Sequence, residues 1–211
     1  MRKYFKRKVA ENLRQPKGLF GWLIGSFMNH FNKGIIQFTI DAIPEKDVFS
    51  ILEAGIGSGK ALELCTKRFP EAILYGIDIS KSMLLKAKIR NRKSLRKGIM
   101  KLYHAGISDL PLDDQCVDIV YTINTLYFWN DPDLVFKEIH RVLKIEGQFI
   151  LSFNPKEEMN KALYPKDLFT LYSAEEVKHL ALTNKFDVIA IHEIRDRYEN
   201  YVCMILQKRK A

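Results

Sequence analysis

The chain has 211 residues, 47% hydrophobic and 28% charged, with 34 basic against 25 acidic side chains for a formal net charge of +9. That length suits one domain with a sizeable core that needs no covalent or metal staple. Cys65, Cys116 and Cys203 are far apart, odd in number and without zinc-site spacing, which excludes a disulfide scaffold and leads us to expect a reducing, cytoplasmic setting.

The N-terminus is basic (Arg2, Lys3, Lys6, Arg7, Lys8) and runs into an apolar stretch from Gly18 to Met28. This stretch is much shorter than the roughly 20 residues that span a bilayer. It also has no small-residue cleavage site behind it and is approached through Pro16-Lys17-Gly18, so it does not read as a secretion signal. An amphipathic helix that covers a pocket or touches a membrane surface fits better. Residues 1–45 are therefore expected to form a helical lid, and residues 46–211 the main domain.

From there strand-like runs alternate with helical patterns. Val48 to Ala54 reads as a strand, Lys60 to Phe69 as a helix stopped by Pro70, and Ala72 to Ile79 as a second strand. Ser80 caps a helix bearing Met83, Leu84, Ala87 and, one turn on, Ile89. Gly98 to Ala105 and Val117 to Ile123 are the third and fourth strands. Asp131-Pro132-Asp133 opens a helix with Leu134, Val135, Ile139, Val142 and Leu143 at helical spacing; Gly147 ends the turn after it, before a strand from Gln148 to Phe153. Ser173-Ala174-Glu175-Glu176 is a capping box. Phe186 to Ile194 and Tyr201 to Gln207 close the chain as two strands. The order predicts an α/β fold: a doubly wound, seven-stranded, mostly parallel sheet with an antiparallel C-terminal hairpin.

The informative motif is Glu53-Ala54-Gly55-Ile56-Gly57-Ser58-Gly59 at the end of the first strand, followed by Asp78 at the end of the second. Glycines there permit positive φ and leave no β-carbon between backbone and ligand. A dinucleotide fingerprint would place its third glycine at position 60, where this chain has Lys60. The G-x-G-x-G form with an acid before it suits an adenosine ligand without pyrophosphate, and Asp78 can accept from both ribose hydroxyls.

Together with Gly76-Ile77-Asp78-Ile79, Ser108-Asp109-Leu110-Pro111-Leu112, Val117-Asp118-Ile119-Val120 and Glu138-Ile139-His140-Arg141-Val142-Leu143-Lys144, these residues resemble class I S-adenosylmethionine-dependent methyltransferases. The likeness extends over almost the whole chain and is nearest to the small-molecule type 11 group related to the ubiquinone/menaquinone enzymes, with a Rossmann-like fold. It implies S-adenosylmethionine as cofactor and S-adenosylhomocysteine as product. It further implies that Gly55, Gly57 and Gly59, with Ala54, lie beneath the methionine and ribose portions, that Glu53 meets the amino end, and that Asp78 holds the ribose. Ile79 and Met83 would form part of the adenine pocket, with Gly106, Ile107, Ser108 and Asp109 beside it and Asn124 next to the transferred methyl. One departure stands out. Family members commonly carry Gly-Asp-Ala or Gly-Asp-Val where this chain has Ala105-Gly106-Ile107, so the aspartate that grips the adenine amino group is replaced by glycine; backbone at Ile107, or Asp109, is left to read the ring.

Methyl transfer from a sulfonium needs positioning more than a catalytic dyad. His30, in the lid segment Met28-Asn29-His30-Phe31-Asn32 expected to fold over the cofactor, and Tyr127 are the candidates for a base, and Met28, Asn29, His30, Tyr127 and Trp129 for the acceptor pocket. His104, His140, His179 and His192 show no metal-ligand spacing, and no metal is expected. The expected substrate is a small, partly apolar molecule. The acid-free basic run from Lys86 to Lys101 keeps an RNA or protein acceptor as an alternative, and Gly106 keeps a non-catalytic binding module as another. No transmembrane segment is expected, and oligomeric state is not encoded in any motif.

Overall fold

The structure, a computed structural model, describes residues 32–159, 168–195 and 200–210. Helix α1 spans Lys33–Asp41, β1 Ser50–Ala54, α2 Lys60–Arg68, β2 Ile73–Asp78, α3 Lys81–Arg90, the short α4 Arg92–Arg96, β3 Met100–His104 and β4 Val117–Ile123. A single 3-10 turn (Leu126–Phe128) leads to α5 (Pro132–Val142), β5 (Leu143–Phe153), the four-residue α6 (Lys156–Met159), α7 (Ala174–Thr183), β6 (Phe186–Arg195) and β7 (Asn200–Lys208). The strands form one sheet in the order β3-β2-β1-β4-β5-β7-β6, parallel except for β7, which runs antiparallel to both neighbours. This is the expected α/β, doubly wound, mostly parallel sheet with its C-terminal hairpin.

Alternation along the strands feeds two cores, one on each face. Leu52, Val120 and Phe149 join Phe136, Phe153 and Phe186 on one side, while Ile51, Tyr121 and Ile150 join Leu62, Leu74 and Ile40 on the other. Side chains of successive strand residues point to opposite faces, so near-continuous apolar runs are what a sheet covered on both sides requires.

Local signals explain most element ends. Ser80 accepts from Met83 N at 3.3 Å and Asp131 from Leu134 N at 3.0 Å, each satisfying an amide at a helix start, and Ser173 and Glu176 complete a reciprocal capping box. β5 departs from expectation. It begins at Leu143 directly after α5 rather than at Gln148, because residues 144–147 form an irregularity: the register with β4 shifts between Val117 and Ile119, and Glu146 sits at φ 64°. Gly147 is required there by close packing, since a β-carbon would lie 2.9 Å from the Lys144 carbonyl and 3.0 Å from that of Asp118. β3 is also shorter than predicted, Met100–His104, with its edges given up to turns.

Helix α1, within the segment expected to be a lid, lies against the sheet. Ile35, Ile36 and Ile40 are buried, Thr39 Oγ1 stands 2.7 Å from Ser152 Oγ, and Arg68 donates to the carbonyls of Ile40 (2.8 Å) and Ile43 (3.2 Å). Met28, Asn29 and His30, and the rest of the lid expectation before Asn32, lie outside the described residues.

Candidate active site

The strand order reverses between β1 and β4, and ligands of open α/β sheets bind outside the carboxyl ends of the strands at such a point. A cavity of about 510 Å³ opens there. Its walls come from the turns after β1, β2, β3 and β4, from the start of α1 and from the start of α5.

The three glycines of the first turn serve three purposes. All have positive φ: 82° at Gly55, 48° at Gly57 and 71° at Gly59. A β-carbon on Gly55 would collide with Thr125 Cγ2, so this glycine lets the turns after β1 and β4 meet. On Gly59 it would lie 2.8 Å from Ala87 Cβ and 2.7 Å from Asn91 Nδ2, so Gly59 lets α3 pack onto the turn; Asn91 then donates to the Gly59 carbonyl at 3.0 Å. On Gly57 it would meet nothing within 4 Å and project into open space. Gly57 is the glycine that keeps the backbone bare toward a ligand. Gly59, expected on the cofactor side, is off the cavity wall and is a packing residue; Ala54, fully buried in β1, is off it as well.

Two carboxyls stand at the floor. Asp78 accepts from Gly57 N at 2.8 Å through one oxygen and from Ser80 N at 2.7 Å through the other, coupling the tip of β2 to the glycine turn and to the cap of α3. Burial pushes its pKa up, and the two amides pull it back. Glu53 is 3% exposed and accepts from Tyr121 Oη at 2.9 Å. Burial drives its pKa up to about 8, with Tyr121 opposing and Asp78 adding to the rise. Burial therefore favours the protonated carboxyl over the carboxylate.

Ile79, Met83, Ala105, Gly106, Ile107 and Ser108 form one wall. A β-carbon at Gly106 would make only ordinary contacts, 3.9 Å to Ser108 Oγ and 4.0 Å to Ile79 Cγ2. Asp109, expected as a substitute for the missing aspartate, does not reach the cavity. It is exposed, and its amide turns back to the Gly106 carbonyl at 3.2 Å.

The turn after β4 supplies the other wall. Asn124 has φ 55°, a conformation that non-glycine residues adopt rarely and Asn better than most. Its side chain lies between Tyr127 Oη (2.9 Å from Oδ1) and Asn32 Oδ1 (3.4 Å from Nδ2). Tyr127 itself faces away from the cavity. Its hydroxyl accepts from Asn154 N at 2.6 Å, and the ring packs in the core at 5% exposure. The 3-10 turn puts Phe128 and Trp129 on the wall instead, so Tyr127, expected as pocket or base, is a positioning residue for Asn124. Asn32, Ile36, Ile56, Lys60, Asn130, Asp131 and Leu134 are further lining residues that the sequence did not assign to the site individually. His104 is exposed and bonded at 3.0 Å to the Ile79 carbonyl, and no group of three or more metal-binding side chains occurs among the described residues.

Residues 52–151, the glycine turn through β5, match the family described as "Methyltransferase domain". YrhH and YdaC of Bacillus subtilis (strain 168), both named as methyltransferases, are 32% and 33% identical to this chain. They are aligned over 63% and 64% of it and over 73% and 72% of their own lengths.

The chain belongs to the methyltransferase family.

The methyltransferase also shares its fold with the crystal structure of a SAM dependent methyltransferase from Aquifex aeolicus, with a TM-score of 0.68 and 20% identity over 83% of this chain and 88% of that one. It is a class I S-adenosylmethionine-dependent methyltransferase of the type 11 group. The cavity fits that cofactor chemically. Gly57 leaves room over a bare backbone, a buried acid stands where an ammonium group can be met, and a second carboxylate is fixed at the tip of β2.

Proposed function

We propose that the methyltransferase transfers a methyl group from S-adenosylmethionine to a small, partly apolar acceptor by in-line displacement, driven mainly by positioning. When bound, S-adenosylmethionine supplies an electrophilic methyl on a sulfonium whose loss leaves a neutral thioether. The protein's part is to hold both reactants and exclude water; well-oriented reactants gain roughly 7–11 kcal/mol from proximity and orientation.

In this reading Asp78 holds the ribose hydroxyls, Glu53 meets the ammonium end, and Gly55 and Gly57 pass beneath. Ile79, Met83 and Ile107 enclose the adenine, with backbone at Gly106 and Ser108 at its edge. Asn124, fixed by Tyr127, lies beside the reacting methyl. Residues 1–45 act as the covering segment and 46–211 as the cofactor-binding domain, with α1 anchoring the cover to the sheet.

The observation that carries the acceptor class is a largely apolar set of lining residues, Ile36, Phe128, Trp129, Leu134 and Val135, with the amides of Asn32 and Asn130 and the Asp131 carboxylate, which accepts from Leu134 N at 3.0 Å. Lys60 is the one basic side chain among the described lining residues, and it pairs with Glu63 at 3.0 Å. Apolar walls with a few placed amides suit a molecule with an apolar body and a polar end. The test is incubation with methyl-tritiated S-adenosylmethionine and a whole-cell extract that retains its RNA, its protein and its small molecules. Label in a small, solvent-extractable product supports the reading; label retained only on RNA or protein overturns it.

A further inference from the structure

Helix α3 carries apolar residues on two opposite faces. Met83, Leu84 and Ala87 are buried against the sheet, while Leu85 and Ile89 stand outward at 59% and 58% exposure, one turn apart. A helix on the flank of such a sheet normally gives solvent a polar face. Here the outward pair is bordered by Lys81, Lys88, Arg92, Lys93, Arg96 and Lys97, all exposed, and no acidic residue occurs between Asp78 and Asp109. Arg90, in the same stretch, is engaged: it donates to the Ser58 carbonyl at 3.1 Å and pairs with Glu63 at 3.1 Å.

We propose that this outward face of α3 and α4 is a membrane-docking surface for anionic lipid bilayers. This face combines two exposed aliphatic side chains with exposed lysines and arginines from the same two helices and lacks aromatic residues. A fluid surface of acyl chains and anionic headgroups complements that pattern: aliphatic side chains enter the boundary while lysines and arginines meet the headgroups. A stacking surface for single-stranded nucleic acid would carry aromatics between its cations. The ridge begins next to the site. Ile79, which precedes the Ser80 cap of α3, lines the cavity and is 42% exposed, so docking would bring the rim of the pocket close to the bilayer. The proposal does not depend on the identity of the acceptor, because docking is read without turnover.

The full chain is tested by co-sedimentation with vesicles of pure phosphatidylcholine and of phosphatidylcholine mixed with phosphatidylglycerol. Binding is expected to the anionic vesicles alone and to weaken with added salt. The double variant L85S/I89S and the triple variant K88E/R92E/K93E should each partition roughly tenfold less or weaker. Both should keep the wild-type affinity for S-adenosylhomocysteine, which shows that they fold. Equal binding to neutral and anionic vesicles, wild-type binding by either variant, or salt-sensitive RNA binding indifferent to L85S/I89S would overturn the proposal. Loss of cofactor affinity in wild type would instead contradict the function proposed above.

Discussion

The chemical character of the site rests on single residues whose roles differ although their letters repeat. Gly57→Ala places a methyl in the space left to the ligand, whereas Gly59→Ala drives one into Ala87 and Asn91. The expected outcome is a split. Gly57→Ala weakens S-adenosylhomocysteine binding, read by calorimetry, with a smaller loss in melting temperature; Gly59→Ala costs stability, about 1–3 kcal/mol by denaturant unfolding, from overpacking and positive φ. Glu53 makes a pH prediction. Its folded-state pKa, about 8, lies above the ordinary value of 4.5, so the folded protein holds the proton more tightly. That stabilisation is full below about pH 4.5 and declines as pH rises toward 8, where the buried group ionises, a change of a few kcal/mol at most in the free protein. An ammonium group beside Glu53 reverses this preference. Cofactor binding near pH 7 is therefore expected to release a proton, seen as calorimetric enthalpies that vary with buffer ionisation, and Glu53→Gln should abolish that dependence. At position 106 the ordinary contacts leave room for a side chain, so Gly106→Asp should fold and tighten cofactor binding by on the order of tenfold, one charged hydrogen bond.

Elements turn those residues toward one another. The turn after β4 is held by Thr122, which donates to the Ala54 carbonyl at 2.6 Å, and by the Tyr127 hydroxyl between Asn124 and Asn154. Tyr127→Phe removes that link without changing the cavity wall. It is expected to lower kcat more than it raises the cofactor Kd and to cost about 1–3 kcal/mol of stability for the buried partners left unmatched. Asp118 makes a comparable brace below the site. Burial alone would raise its pKa, but Lys144 at 2.6 Å and the Ser50 hydroxyl and Phe49 amide outweigh it and hold the carboxyl below its usual range. Its contribution is present above pH 4 or so and is lost on acidification.

How far these placements could be read in advance followed the range of the interactions. Caps at Ser80, Asp131 and Ser173 act over three residues and were legible in the sequence. Gly59 was misassigned because the atoms that require it to be glycine belong to a helix 28 to 32 residues later. Tyr127 was placed in the pocket because the 3-10 turn, which exchanges it with Phe128, leaves no periodic signal.

For the molecule as a whole, alternation of strands and helices foretold a doubly wound sheet, and the closing hairpin was visible as two adjacent strands. The order of strands was not: that β4 lies beside β1 depends on packing between residues about 68 apart, such as Ser50 with Asp118. That neighbourhood creates the crevice, so the residues proposed to meet the acceptor came together only once the sheet was assembled. Asn32 and Ile36, at the start of α1, and Leu134, at the start of α5, come from two distant segments and share no motif. The central claim is that this crevice binds S-adenosylmethionine and not a dinucleotide. Calorimetric titration of the full chain with S-adenosylmethionine, S-adenosylhomocysteine and NAD tests it most directly. One-to-one binding of both sulfur ligands, severely weakened in Asp78→Ala, and no heat from NAD are expected. Binding of NAD with no response to either sulfur ligand would contradict it.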